Sequence, residues 1–275
     1  MHIYHLNCGT LRPLFPKAEA IIYCLLVETS QGLVLVDTGF GTYDYSAPSP
    51  LMKFFLKWMG VACVLEETAL HQISRLGFRA KDVGHLILTH LHFDHAGGLP
   101  DFPHAKVHVY GPEYRAAMDP HGLIEYAYDA SHWAHEPDWV LHEEVNHSFY
   151  GLDCIQIMPG VDPEILMVPL TGHTRGHCGV AIRMPDGWLF QCGDAASPFH
   201  QDTDLHDRDK SQYCANILPR WFAYRVIGPH VPRLRVLVRE HGQEVSVISS
   251  HDIYSFREYQ VADKFKKDGG QSTGK

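Results

Sequence analysis

An α/β chain of two β-sheets packed face to face, with helices outside, is the fold class this sequence predicts. Three observations carry it. Short apolar runs bounded by turn-forming residues recur along the chain, as strands require. They fall into two β-rich groups, before and after residues 119–150. His or Asp residues sit where several of those runs end, so strand ends gathered on one edge would bring them together. The 275 residues, 45% hydrophobic and 20% charged, are those of an ordinary globular protein with room for a substantial core. The expected organisation is one domain over residues 1–260 with a cap-like insertion at 119–150, followed by a disordered tail over 261–275.

In chain order, Ile3–Cys8, Ala20–Glu28 and Gly32–Asp37 read as strands, the last two joined by a turn at Ser30-Gln31-Gly32. Leu33 to Val36 is wholly apolar, so that strand is expected to be covered on both faces. Ser46–Val64 is apolar and aromatic; a core helix is the default, with a lid or a homodimer contact as the other readings. Glu66–Leu76 has the spacing of an amphipathic helix, ended by Gly77. A strand leading into His90, then a strand at Lys106–Tyr110 and a helix at Pro112–Met118, complete the first half. Asp119–Tyr150 is dense in aromatic and His residues without a clean period, hence the cap assignment. Its histidines (121, 132, 135, 142 and 147) read as solvated side chains rather than ligands. Strands follow at Leu152–Met158, Ile165–Leu170, Cys178–Arg183 and Trp188–Cys192, then a helical stretch around Gln212–Tyr224, a helix at Val231–His241 and a strand at Val245–Ile248.

Composition excludes several classes of function. With 23 basic and 32 acidic residues the net charge is −9, which argues against a nucleic-acid partner, since phosphate backbones need clustered Lys and Arg. No basic segment followed by an apolar one marks a secretory signal, and no run reaches the roughly 20 apolar residues of a membrane span. Seven cysteines without a CxxC pair read as buried thiols in a reducing compartment. The expected location is therefore cytoplasmic, and the expected partner a small-molecule substrate rather than a nucleic acid or membrane.

The densest chemistry lies in His85–Leu99, reading HLILTHLHFDHAGGL. Alternation along an extended chain puts His90 and His92 on one side, and Asp94 and His95 follow as the chain turns. Three imidazoles and a carboxylate exceed what one tetrahedral ion with an open position uses, so a division between two metals is the economical reading. The bland alternative, a surface loop in a chain with 21 histidines, would not also supply distant partners. Those partners are Asp37 after the third strand, His173 or His177 in Thr171-Gly-His-Thr-Arg-Gly-His177, Asp194 after Cys192-Gly193, and His251 after Ser249-Ser250. Spacing leaves His173 and His177 both open. Imidazole and carboxylate donors without thiolate suit zinc, with iron or manganese as alternatives; Cys178 and Cys192 are not expected as ligands.

This ordered set, HxHxDH with downstream GHTRGH, Gly193-Asp194 and His251-Asp252, resembles the metallo-β-lactamase fold superfamily. The resemblance covers most of residues 1–255 and is weakest over 119–150 and 198–230. It implies a four-layer αββα sandwich of two mixed sheets. It also implies that His90, His92 and His173 hold one divalent ion, that Asp94, His95 and His251 hold a second, and that Asp194 bridges them. Asp37 would orient the site from outside the ligand set, and His173 is selected over His177. The implied chemistry is attack by a metal-bound hydroxide, with Asp94 orienting it or accepting its proton.

Within the superfamily the pattern is most similar to N-acyl homoserine lactonases, which implies a lactone or ester substrate. Those enzymes usually place a Tyr three residues after the bridging Asp, where this chain has Ser197. Thioester hydrolysis is disfavoured because only 24 residues follow His251, too few for a glutathione-gripping helical domain. It remains an alternative, as do a phosphodiesterase and a mononuclear iron enzyme of the persulfide dioxygenase type.

Overall fold

The computed structural model describes residues 1–13, 19–122, 124–197, 204–206, 227 and 229–269. Strands β1 (Ile3–Leu11), β2 (Ala20–Thr29), β3 (Gly32–Val36), β4 (Val83–Ile87), β5 (Lys106–Tyr110) and β6 (Asp138–His142) form one six-stranded sheet in sequence order. Its first three strands pair antiparallel, and β3 to β6 pair parallel. The second sheet has the order β12-β11-β10-β9-β8-β7, from β7 (His147–Phe149), β8 (Leu152–Ile157), β9 (Ile165–Pro169), β10 (Cys178–Met184), β11 (Gly187–Gln191) and β12 (Val245–Ile248). It is antiparallel apart from the β11–β12 pair.

Alternation along the strands sorts the apolar residues into three layers of core. Tyr23, Leu25, Val34, Val36 and Ile87 point between the sheets and meet Ile155, Met167, Val180 and Ile182. The opposite face of the first sheet, with Leu26, Leu35, Leu86 and Val107, packs under helices α2 (Pro50–Trp58), α3 (Ala69–Arg75) and α5 (Gly111–Met118). Val168, Ala181, Phe190 and Val247 on the far face of the second sheet pack under α6 (Val231–His241) through Leu234 and Leu237. The result is the expected αββα sandwich, and β3 is buried on both faces as its apolar run requires.

Backbone bonds stitch the two sheets at one edge, Cys178 N to Thr89 O at 2.9 Å and Tyr23 N to Ser250 O at 2.8 Å. The C-terminal ends of β3, β4, β11 and β12 all open onto that edge, together with the loop after β9. The ends of four parallel-running strands are thus delivered to one place.

Several local expectations change. Ser46–Val64 is not one helix: a short α1 (Thr42–Ser46) precedes α2, which starts at the Ser49 cap with Pro50 in its first turn. One face of α2 is core, through Met52 and Leu56, and the other leaves Phe54 and Trp58 exposed. Residues 119–150 are only partly cap-like. Turns at Ile124–Ala127 and Ala130–Trp133 are followed by β6 and β7, which close one edge of each sheet. β6 has no fully buried position and β7 is only three residues long, so neither carries a clear alternating signature, which is why they read as irregular. His132 is not solvated but buried, with its Nε2 2.8 Å from Asp44 Oδ1. The expected tail is helical over much of its length, because Asp252 accepts from the N–H groups of Tyr254 and Ser255 and starts helix α7 (Ile253–Gly269). Phe256 and Tyr259 then dock it against Tyr23 and His5. Residues 270–275 and the stretch around Gln212–Tyr224 lie outside the described residues.

His142 is also engaged. His85 Nδ1 lies 2.9 Å from His108 Nε2, and His108 Nδ1 lies 3.0 Å from His142 Nε2, a chain of imidazoles across β4, β5 and β6. Burial, reinforced by the neighbouring imidazoles and Lys106, pushes His108 down to about 3 from the ordinary 6.5. A group whose folded value is depressed in this way binds its proton in the unfolded chain first. Stability is therefore unaffected above about pH 6.5 and falls as the pH drops from there toward 3, by roughly 1.4 kcal/mol per pH unit for one such group. Denaturant unfolding at pH 7 and pH 5 should show a shallower loss in His108→Gln than in the wild type; equal losses would contradict this account.

Candidate metal centre

The site is built from the strand ends upward. Asp37 follows β3 with a left-handed backbone (φ 54°), and its N–H still bonds Ile87 O at 3.0 Å. Its carboxylate, 1% exposed, accepts from Thr89 N at 2.8 Å and from the Thr89 hydroxyl. The remaining lone pair faces His95 Nδ1 at 2.9 Å, which assigns the proton of that ring to Nδ1 and turns Nε2 inward. Thr38 completes the grip, its N–H and hydroxyl each 2.8 Å from His95 O.

Beyond β4 the chain bends at Thr89 and carries His90 and His92, whose rings lie 4.6 Å apart. The single helical turn α4 (Phe93–Ala96) then swings Asp94 and His95 to the same point. Gly97 and Gly98 leave this turn because a Cβ at Gly97 would strike Asp44 and one at Gly98 would press on Thr38. From the second sheet, His173 Nε2 comes within 3.2 Å of His92 Nδ1 and 3.4 Å of Asp194 Oδ2. His251 donates its Nδ1 proton to Ile21 O at 2.9 Å, which leaves Nε2 3.4 Å from Asp194 Oδ2 and 3.7 Å from Asp94 Oδ2.

Seven of the predicted residues thus come together as three overlapping groups: His90 with His92 and His173; His90 with His95 and Asp194; Asp94 with His95 and His251. Donor atoms within each group lie within 4.8 Å of one another. Asp194 reaches toward both ends, 4.0 Å from His90 Nε2 and 3.7 Å from His95 Nε2. Asp37 stands behind His95 rather than among the donors.

His177 is buried beside the group but faces another way. Its Nδ1 bonds Leu170 O at 3.1 Å and its Nε2 accepts from Asp194 N at 2.9 Å, so it fixes the backbone of the Asp194 turn. Burial pushes it down to about 3, consistent with a neutral ring that both donates and accepts. Cys178 turns its thiol to the carbonyls of Leu88 and Thr89, in keeping with its expected exclusion.

The electrostatics and the unpartnered atoms point to cations. Burial lowers His90 and His92 well below the ordinary imidazole value, keeping their lone pairs free of protons. Burial also opposes a charge on His95 and His251, yet the carboxylates of Asp94 and Asp194, with Asp37 behind His95, push them up to about 10 and about 9. Asp194, despite burial, is held well below the carboxylate range by His251, His95 and His173. Protein groups alone therefore concentrate negative charge here. His90 Nε2, His92 Nε2, His95 Nε2 and Asp194 Oδ1 are buried with no hydrogen-bond partner among the described residues, a costly arrangement for polar atoms unless a cation meets them. The donor set fits divalent metal.

Comparison with known proteins agrees. The profile of the metallo-β-lactamase superfamily matches residues 19–220. The chain belongs to this superfamily and is a metal-dependent hydrolase. It is 35% identical over 253 residues to the probable metallo-hydrolase Rv2300c of Mycobacterium tuberculosis, covering 91% of this chain and 80% of that one. It is 30% identical over 162 residues to an N-acyl homoserine lactonase of a Bacillus species, 58% of each chain. In fold it is similar to a crystal structure of a B. thuringiensis AiiA variant with N-decanoyl-L-homoserine at its active site, with a TM-score of 0.64 at 20% identity over 93% of this chain and 95% of that one.

Sequence reasoning missed Thr89 and Glu113, whose roles depend on packing. Asp37→Asn puts an amide where both Thr89 N and His95 Nδ1 need an acceptor. Metal affinity measured by chelator competition should fall about 10–100-fold; an unchanged affinity would show that Asp37 does not orient the site.

Proposed function

We propose that the centre holds two divalent ions, zinc by its donor chemistry, and hydrolyses a carbonyl ester or lactone. In this reading His90, His92 and His173 hold the first ion, Asp94, His95 and His251 the second, and Asp194 lies between them. The observation that carries the dinuclear reading is the position of Asp194, whose two oxygens address imidazoles of both groups. Two ions bound there would supply Lewis acidity and lower the pKa of a coordinated water from about 15.7 toward about 7.

The chain's own residues do the rest. Asp94 faces His95 and His251 at 3.8 and 3.7 Å, where its carboxylate is placed to orient a water and accept its proton. Asp37 holds His95 in the tautomer that offers Nε2. Phe93, inside the HxHxDH segment, packs against Phe55 of α2 with ring centroids 4.8 Å apart, which ties the aromatic α2 segment to the donor-bearing turn. The exposed Phe54 and Trp58 of that segment support an apolar acyl group in the substrate. The lactonase relatives support a lactone, and the net charge of −9 disfavours a polyanion. The nearby cap tyrosine, Tyr128, does not stand in for the Tyr replaced by Ser197, because its hydroxyl donates to Glu113 at 2.9 Å.

The test is a substrate panel on zinc-loaded protein: N-acyl homoserine lactones, an aryl ester, a thioester and an aryl phosphodiester. Lactone or ester opening is expected, rising with pH through an apparent pKa near about 7 and then levelling. Asp94→Asn should lose about 100-fold or more in kcat with little change in KM. Phosphodiester turnover with no cleavage of any lactone or ester would overturn the proposal.

A further inference from the structure

Glu113 lies in the first turn of α5 and is fully buried, and among the described residues no Lys or Arg pairs with it. A lone carboxylate in that position is tolerated only when its lone pairs are filled. Both oxygens are filled. Oε1 accepts from Leu91 N and from the Tyr128 hydroxyl, each at 2.9 Å. Oε2 accepts from the Thr174 hydroxyl at 2.5 Å and from Gly176 N at 3.2 Å.

These four donors belong to the segments that carry one half of the centre. Leu91 sits between His90 and His92, and Thr174 directly follows His173. Tyr128 forms an isolated bridge with His92 and packs its ring 5.2 Å from the imidazole. Arg175, between the two donors of the Thr174–Gly176 loop, is tied to the cap through Glu125 at 2.8 and 2.9 Å. Gly176 has no alternative, since a Cβ there would run into the backbone of Glu113. The Thr-Arg-Gly between His173 and His177 is therefore a clamp closed on one carboxylate.

We propose that Glu113 is the positioning residue for the His90, His92 and His173 half of the centre, as Asp37 is for the half containing His95. The inference rests on the reading that those histidines bind metal. Glu113 touches none of the donor atoms; it fixes the backbone on either side of them, so that three imidazoles from two sheets converge without rearrangement.

Zinc uptake by the full chain, measured by competition with a chromophoric chelator, tests this. His173→Ala and His251→Ala serve as references for loss of either half. Glu113→Gln puts an amide NH2 where two donors need an acceptor. It should weaken the His173-dependent ion about 10–100-fold and leave the His251-dependent ion nearly unchanged. Thr174→Val and Tyr128→Phe each delete one donor and should shift the same ion in the same direction by less. They carry the test if Glu113→Gln fails to fold, as judged by circular dichroism. Wild-type uptake of two ions, with all three variants binding both as tightly, would overturn the inference while leaving the metal reading intact. Wild-type uptake insensitive to His173→Ala would overturn the metal reading, and the inference with it.

Discussion

Four carboxylates, from Asp37, Asp94, Glu113 and Asp194, are buried within one edge of the sandwich, and the structure around them is dictated by what buried carboxylates need. Each must find donors or cations, or take up a proton. Asp37 finds the N–H and hydroxyl of Thr89 and the ring of His95, and Glu113 finds four neutral donors. Among the described residues, Asp94 and Asp194 face only imidazoles, at 3.4 to 3.8 Å or beyond, distances at which a shared cation does better than any direct bond. The first two carboxylates hold segments in place. The other two are left open to a metal cation.

That division depends on the fold. The parallel pairs β3–β4 and β11–β12 send Asp37, His90, Asp194 and His251 to a common edge, and no antiparallel hairpin would do so. The sheets are locked together there by backbone bonds from β2 and β10, so the two halves of the donor set cannot drift apart without breaking main-chain pairing. Helix α5 contributes the carboxylate that joins the first sheet's His90–His92 segment to the second sheet's His173 loop. The segment at 124–133 joins the same cluster, Glu125 through Arg175 of that loop and Tyr128 through Glu113.

The donor residues were legible in the sequence because they are chemically unusual for their positions. Histidines and aspartates at the ends of apolar strands have little structural reason to be there, and HxHxDH packs four of them into six residues. Asp37 was legible in position, and the structure sets its carboxylate against Thr89 and His95 Nδ1. Glu113 was not. A Glu after Pro112 in the first turn of a short helix is the commonest of surface residues, favoured by the helix dipole, and its burial arises only when the GHTRGH loop folds over it. The sheet edges β6 and β7 were hidden for a related reason: β6 buries no residue fully and β7 spans three residues, so their periodicity is weak, and the aromatic residues of this stretch read as a cap. Helix α7 was signalled by Asp252 as a cap residue, but the polar tail beyond it obscured the pattern.

The central claim is that the strand ends converge on two ions shared through Asp194. Anomalous diffraction at the zinc edge, from crystals of the protein purified with zinc, tests it most directly. The account predicts two peaks roughly 3.5–4 Å apart, one against His90, His92 and His173, the other against Asp94, His95 and His251, with an Asp194 oxygen between them. A single peak, or two that do not share Asp194, would contradict it.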